Sequence, residues 1–508
     1  MTNYGSPTPP VPLRGPSAIR LQAHRVSVPD HVLERIQNEG IDVDHDTATL
    51  DDHGRDWWPL AIGWAVHDAA IPSRPFLVVR PTVVAHVVAL LRIASEHRIP
   101  VTTMAGRSGV CGASLPVHGG IALDMCAMTG ILSVDDESLT IDVQAGTFGD
   151  VLEDRLRADH SLTLGHWPQS IALSTVGGWL ACRSAGQFST RYGKIEDMVR
   201  GIDAVLADGT VIRTGSRGPR EAAGPDLTQL LVGSEGTLAV ITSARLAVRP
   251  MPNHSAKRAF GFATFRQGLD ACRLLLRSGA TPAVLRLYDE RESSRNFQTG
   301  TPGTPDASNV LLLFDEGNEQ LVDAGIRVAE RICRQTGATD HDPTMVDRWL
   351  GHRNDVSQLE SVIRNHIVVD TIEIAAPWGA LPGIHDEVTA ALLETPDTLA
   401  ATCHQSHAYS DGACLYFTFA GRPPAERSER EAYYARIWDT ATRITLAKGG
   451  TVSHHHGIGL HRGRYLRAAL GEAAFSVLST LKRSLDPTGI LNPGKLALPD
   501  PFGEVVWP

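Results

Sequence analysis

The chain has 508 residues, 42% of them hydrophobic, enough for two or more domains with sizeable cores. Its 47 Lys and Arg against 57 Asp and Glu leave a net charge of −10, so no basic excess is free to neutralise phosphates, and a nucleic-acid partner is excluded. No apolar run reaches membrane-span length, no signal-peptide core opens the chain, and the seven cysteines (Cys111, Cys126, Cys182, Cys272, Cys333, Cys403 and Cys414) form no C-x-x-C pair, which points to a reducing cytoplasm.

The opening, rich in Pro, Gly and Ser as far as Ser17, reads as a mobile tail. Tail and helical extension together take residues 1–72. From Phe76 the pattern alternates: strand FLVV, Thr82 as N-cap of the helix VVAHVVALLRIASEH, strand IPVTTM, the glycine-rich AGRSGVCGAS (Ala105 to Ser114), strand GGIALDM, and the half-buried strand LTIDVQAG. IDAVLADGTVIRTG reads as two strands around an Asp208-Gly209 hairpin turn. These elements make a first α+β domain over 73–250. A strand, long helix, strand rhythm sets off a second α+β domain over 251–450, with AFGFATF and NVLLLFDE as strands and FQTGTPGTPDASN as a mobile loop. Residues 451–508 hold SHHHGIG (Ser453 to Gly459), one amphipathic helix RYLRAALGEAAFSVLSTLKRSL, and the stop DPTGILNPGK.

Three segments carry small residues where core strands would not: AGRSGVCGAS, PQSIALSTVGGWLACRSAG (Pro168 to Gly186) and VGSEGTLAVI (Val232 to Ile241). Glycine admits close backbone approach, and consecutive N–H groups in such loops form anion nests suited to a diphosphate. Any one of them alone reads as a tight turn; three together indicate a nucleotide. No G-x-G-x-x-G stands between a strand and a helix, so the dinucleotide fingerprint is absent.

The order and spacing of these segments resemble the FAD-binding domain of the vanillyl-alcohol oxidase superfamily, from about Arg74 to Lys495. Within it, STVGGWLACRSAGQFSTRYGKIED, GPDLTQLLVGSEGTLAVITSARLAVRP, DGACLYFTF and SHHHGIG look most like the alkyldihydroxyacetonephosphate synthase family. The resemblance implies a two-part FAD-binding domain of the vanillyl-alcohol oxidase (PCMH) type, an α+β substrate (cap) domain, and a C-terminal segment returning to the flavin. It implies non-covalent FAD held by Thr103, Met104, Ala105, Gly106, Arg107, Ser108 and Gly109 around the diphosphate. Gln169, Ser170, Ser174 and Thr175 would line the flavin, followed by Cys182, Arg183, Ser184 and Ala185. Gly233, Ser234, Glu235, Gly236, Thr237, Leu238, Ala239 and Ile241 would hold the adenine side. Ala105 and Arg107 stand where the family has glycines, and Gln169 where the synthases have an acid. Cys111 lies near the place where some members tether the flavin; a small packed thiol is the expectation.

For the three histidines a metal site, a structural turn and acid/base work all remain open readings. Alternation along a strand would let His454 and His456 share a face while His455 turns away. Related D-2-hydroxyacid dehydrogenases hold a metal through a GDGNLH-like stretch and an EHG turn. Here Tyr416 and His455 replace two of those ligands, so no metal is expected. Histidine switches its charge near neutral pH, which favours acid/base chemistry. The resemblance makes Tyr416, His454, His455 and His456 catalytic and Arg286 and Arg364 substrate-binding, Arg286 matching an arginine near the flavin and Arg364 one that grips the substrate phosphate. A core aromatic for Tyr416 and surface salt bridges for the arginines are the plain alternatives.

The implied activity exchanges the acyl chain of acyl-dihydroxyacetone phosphate for a fatty alcohol through a flavin N5 adduct, in ether-lipid synthesis. The alternative on the same scaffold is FAD-linked oxidation of a 2-hydroxy acid or another alcohol. The partners expected are a small-molecule or lipid substrate, a peripheral membrane contact if that substrate is a lipid, and at most a second copy of the chain.

Overall fold

The computed structural model describes residues 5–9, 11, 17–216, 218–304, 307–356 and 358–507. The first sheet has the strand order Asp42–Asp44, Leu77–Arg80, Ile121–Asp124, Val101–Met104, with the last three parallel. Helix Val84–His97 lays Val87, Leu90, Leu91 and Ala94 against it, one face at helical spacing. Its N-cap is Val83; Thr82 sits one place outside, with its N–H directed at Nδ1 of His86 3.3 Å away, so the expected cap is displaced by one residue.

The second sheet is antiparallel: Val211–Arg213, Val199–Val205, Val240–Ala247, Thr140–Gln144, Ile131–Asp135. The Asp208-Gly209 turn joins its first two members as the sequence predicts.

A third, seven-stranded antiparallel sheet runs Thr339–His341, His254–Phe262, Asn309–Gly317, Val284–Tyr288, Thr398–Ala408, Gly412–Gly421, Val368–Pro377. Its strand Asn309–Gly317 is buried on both faces. Val310, Leu312 and Phe314 enter the core that also holds Phe188 and Leu246 of the preceding region. Leu311 and Leu313 pack with Leu269 and Leu275 of helix Phe265–Arg277 and with Val322 and Ile326 of helix Glu319–Gln335. A continuous apolar run is what a sheet covered on both sides needs. The expected loop at 297–309 lies between helix Glu290–Phe297 and this strand; Pro305 and Asp306 lie outside the described residues.

Two further expectations fail. The single helix after the histidines is two, Gly463–Leu470 and Glu472–Leu485, broken at Gly471, whose φ of 78° no helix contains. The described part of the N-terminal tail is fixed: the Gly5 N–H donates to Asp150 (2.9 Å) and the Thr8 N–H to the Gly106 carbonyl (2.9 Å). At the other end the chain returns to the first sheet, where Val101 donates to Ile490 and Asn492 donates to Val101, both at 2.8 Å.

Candidate active site

The glycine-rich loop follows directly from strand Val101–Met104. Gly106 presses against the Leu173 carbonyl so closely that a Cβ would lie 2.0 Å from that oxygen, which ties the first small-residue segment to the second. Arg107 takes the left-handed conformation (φ 55°) at one of the places where the family pattern has glycine. Left-handed backbone costs an ordinary residue about 1–2 kcal/mol. The buried guanidinium offsets it by pairing with Asp52 at 2.6 Å. The N–H groups of Gly106, Arg107, Ser108 and Gly109 meet no acceptor among the described residues, and the Thr103 hydroxyl is buried without a partner.

These residues open onto a cavity of about 740 Å³ that runs from the loop to the seven-stranded sheet. Thr103, Met104, Ala105, Gly106, Arg107, Ser108 and Gly109 line it, as do Gln169, Ser170, Ser174, Thr175, Cys182, Ser184, Ala185, Glu235, Gly236, Ala239 and Ile241. Unpaired donors at one end and a long lined trough fit a dinucleotide such as FAD. Arg183, Gly233, Ser234, Thr237 and Leu238 are not on the wall. Arg183 caps a helix at φ 54° and donates to the Gln229 carbonyl, Gly233 donates to Leu180, the Thr237 hydroxyl closes a turn onto Ser234, and Leu238 joins the core. Cys111 is buried off the wall, its carbonyl accepting from Leu460 and His461.

The far wall comes from sheet register. His404, Tyr416 and Glu373 lie directly opposite one another on three neighbouring strands and so share one face. Leu415, Phe417 and Phe419 take the other face and join the helix-covered core. A bulge between Gln405 and His407 inserts one residue, so His407 pairs with Cys414 and returns to the cavity face. Without it, the odd spacing from His404 would turn His407 away.

The histidine stretch is a curled loop, so strand alternation does not govern it. The backbone N–H groups of His454, His455 and His456 all converge on the carboxylate of Glu373, the latter two at 3.1 and 3.0 Å. Ser453 Oγ (2.8 Å) and Arg462 (2.6 Å) complete its set of donors. Burial by itself would raise the Glu373 pKa; Arg462 and these donors outweigh it and hold the carboxyl at about 2. Downstream, Ile458 and Gly459 donate to Glu235 at 2.6 and 2.7 Å, and burial pushes that carboxyl up to about 7. Gly459 (φ 56°) is forced by contact: a Cβ there would lie 2.2 Å from the Cys111 carbonyl. The loop is thus pinned by two acids, 373 and 235, distant in sequence.

His455 and His456 reach the cavity wall. His454 lies behind them, its ring between Tyr409 (3.0 Å) and His455 (2.9 Å). Burial lowers all three, His454 to about 3 and His456 to about 4, so the imidazoles are neutral at pH 7. Tyr416 donates to the Thr371 hydroxyl (3.0 Å), stacks on His404 (centroids 4.9 Å apart) and meets His456 edge-on; burial pushes its phenol pKa up. Glu373, Cys414, His454 and His455 offer ligand atoms within 4.8 Å of one another. Glu373 already accepts five donors and both ring nitrogens of His454 are engaged, so a cation would have to displace existing bonds.

Arg286 lines the cavity, donating to Nε2 of His404 and to the Tyr288 hydroxyl (2.8 Å). An arginine only donates, so His404 Nε2 is bare and Nδ1–H donates to Glu292 (3.0 Å). Glu292 also accepts from Arg295 (3.0 Å), a second cation on the wall. Arg364 is not brought there: it stands outside, paired with Glu360 one helical turn away. Its helix instead contributes Leu359 and Val362, which line the cavity along with the apolar residues Trp57, Pro59 and Val369. Sequence reasoning missed Glu235's anchoring role and missed Glu373, Glu292, Arg295, His404 and His407 altogether. The two histidines of HQSHA, three apart in a strand, were the available signal for a bulge.

Residues 75–215 match the FAD binding domain family and residues 251–496 the C-terminal domain of FAD linked oxidases. An uncharacterized FAD-linked oxidoreductase, YgcU of Escherichia coli (strain K12), is 31% identical over 421 residues, 80% of this chain and 86% of the relative. Alkyldihydroxyacetonephosphate synthase of Dictyostelium discoideum is 29% identical over 458 residues (84% and 74%). Glycolate oxidase subunit GlcD of Bacillus subtilis (strain 168) is 29% identical over 445 residues (85% and 91%). Among solved structures, an alkyldihydroxyacetonephosphate synthase superposes with a TM-score of 0.76 at 23% identity, covering 96% of this chain and 90% of the other. A p-cresol methylhydroxylase superposes with a TM-score of 0.73 at 17% identity (94% and 99%), so the chain shares the fold of these two proteins.

Proposed function

We propose that this chain, which belongs to the FAD-linked oxidases and is an FAD-dependent enzyme, acts on acyl-dihydroxyacetone phosphate and replaces its acyl chain with a fatty alcohol. The supporting observation is the lining of the cavity apart from the cofactor loop: it carries two arginines, Arg286 and Arg295, and five apolar residues, Trp57, Pro59, Leu359, Val362 and Val369. A phosphate head and an alkyl chain need both; a small hydroxy acid needs only the cations. In the exchange, the bond from substrate carbon to acyl oxygen breaks, the fatty acid leaves, and the alcohol oxygen takes its place after losing its proton.

The residues placed around Tyr416 divide the proton work. The phenol, held protonated by burial, donates to the departing oxygen. His455 and His456 are neutral and on the wall; they accept the substrate C–H and alcohol protons, return one to the same carbon once the new C–O bond is in place, and pass the other back to Tyr416, which closes the cycle. Arg286, oriented by His404 and Tyr288, holds the phosphate with Arg295. FAD, cradled by residues 103–109, supplies an electron-accepting ring when bound. Arg364, expected to grip the phosphate, has no part in this reading.

A second reading, oxidation of a 2-hydroxy acid, draws on the relative named as a glycolate oxidase subunit. Anaerobic mixing separates the two. Bleaching of the yellow holoenzyme by palmitoyl-dihydroxyacetone phosphate with palmitate release supports the exchange. Bleaching by D-lactate or glycolate with formation of the keto or oxo acid, and none by the lipid, sinks it. Tyr416→Phe suppresses either reaction while retaining FAD; unchanged turnover in that variant removes the assigned role.

A further inference from the structure

Behind the cavity wall a run of side chains leaves the cavity at one histidine and returns to it at another. His407 Nδ1 lies 2.7 Å from the Ser189 hydroxyl, Ser189 lies 3.1 Å from the Tyr409 hydroxyl, Tyr409 lies 3.0 Å from His454 Nε2, and His454 Nδ1 lies 2.9 Å from His455 Nδ1. Both terminal residues line the cavity, and neither terminal Nε2 has a protein partner among the described residues. The three inner members do not line it.

We propose that His407, Ser189, Tyr409, His454 and His455 form a hydrogen-bond relay that carries a proton between two points on the active-site wall. The chemistry of the members allows two polarities only. In the first, His407 Nδ1–H donates to Ser189, Ser189 to Tyr409, Tyr409 to His454 Nε2, and His454 Nδ1–H to His455 Nδ1, leaving His407 Nε2 bare and His455 Nε2 protonated. A proton accepted at His407 Nε2 moves each proton one bond along and releases the last one from His455 Nε2. The second polarity is the mirror of the first. The relay holds five protons before and after, and no member is left charged.

Two further observations suit this. Burial lowers His407 and His455 well below the usual histidine range and His454 to about 3, which keeps one proton on each ring. The charged and titratable groups packed around the relay make no hydrogen bond to its ring nitrogens or hydroxyls: Lys194 donates to the His454 carbonyl (2.7 Å) and pairs with Glu196, Glu373 takes backbone N–H groups while its Oε2 stands 3.8 Å from His455 Nδ1, Arg286 is bound to His404, and Cys414 points its thiol at a backbone carbonyl. For the proposed exchange, which takes a proton from the substrate at one place and needs one at another, such a relay supplies both with no net change in the protein. That purpose rests on the proposed function; the relay itself does not.

The test uses holoenzyme with 15N-labelled histidine, and Tyr409→Phe, which keeps the ring and removes the bridging hydroxyl. Wild type at pH 7 should show three neutral imidazoles here, with His454 nitrogen shifts averaged between the two tautomers. In Tyr409→Phe, His454 should settle into one tautomer, and Ser189→Ala should do the same to His407. Unchanged nitrogen shifts in Tyr409→Phe, or a charged ring among the three at pH 7, overturn the relay. With palmitoyl-dihydroxyacetone phosphate, Tyr409→Phe should lose at least about tenfold in kcat with KM within about twofold, and the multi-proton solvent isotope effect should fall to that of a single proton. A raised KM with unchanged kcat overturns it as well. If wild type does not turn over this lipid, the proposed function fails while the nitrogen shifts still decide the relay.

Discussion

Replacing Glu373 with Gln tests what holds the histidine loop. The carboxylate is fully buried and receives Ser453, three consecutive backbone N–H groups and Arg462, itself fully buried. A glutamine offers one oxygen and turns an NH2 toward donors, and it leaves Arg462 without a counter-charge. Breaking a buried ion pair from one side costs about 3–5 kcal/mol. The depressed pKa leads independently to a similar figure: a carboxyl held at about 2 against an ordinary 4.5 is worth about 3 kcal/mol at neutral pH. Because the folded value is the lower one, this contribution is complete above about pH 4.5 and is lost as pH falls toward 2. Urea unfolding of wild type and Glu373→Gln, followed by flavin fluorescence and circular dichroism, should differ by about 3–5 kcal/mol at pH 7 and by roughly half that or less at pH 3. A difference below about 1 kcal/mol at pH 7, or one that does not shrink in acid, refutes the reasoning.

Other outcomes follow from the same geometry. Gly106→Ala places a Cβ 2.0 Å from the Leu173 carbonyl, so the purified variant should be colourless or lose FAD on gel filtration, with flavin absorbance per protein as the check. Arg364→Ala should keep turnover within about twofold, since an exposed pair with Glu360 is worth about 0.5 kcal/mol, whereas Arg286→Ala should raise KM for a phosphate substrate at least about tenfold. Val362→Asp should raise KM for a sixteen-carbon acyl substrate and leave that for a two-carbon analogue nearly unchanged; equal effects on both would remove Val362 from the substrate's path.

Much of the architecture was legible from local pattern. The three small-residue segments announce a nucleotide trough because close approach and unpaired N–H groups require them, and the alternation around Tyr416 puts Leu415, Phe417 and Phe419 on one face and the phenol on the other. The triple histidine stands at the cavity, with His455 and His456 on its wall and His454 behind them. Local pattern also misled: Gly471 splits a helix whose apolar spacing runs straight through it, and Thr82 looks like a cap that Val83 supplies.

The chain by itself determined which segments form strands, helices and the cofactor loop, since those follow from periodicity and glycine content within a few residues. Only the tertiary structure decided which side chains meet. Glu373 reaches the histidine loop across some eighty residues, one extra residue after Gln405 returns His407 to the cavity, and helix Gln358–Arg364 puts Leu359 and Val362 on the cavity wall and leaves Arg364 off it. Strand register and bulges have a period of two, so a single inserted residue reverses every facing, and no local count of residues can foresee a partner supplied by a distant strand.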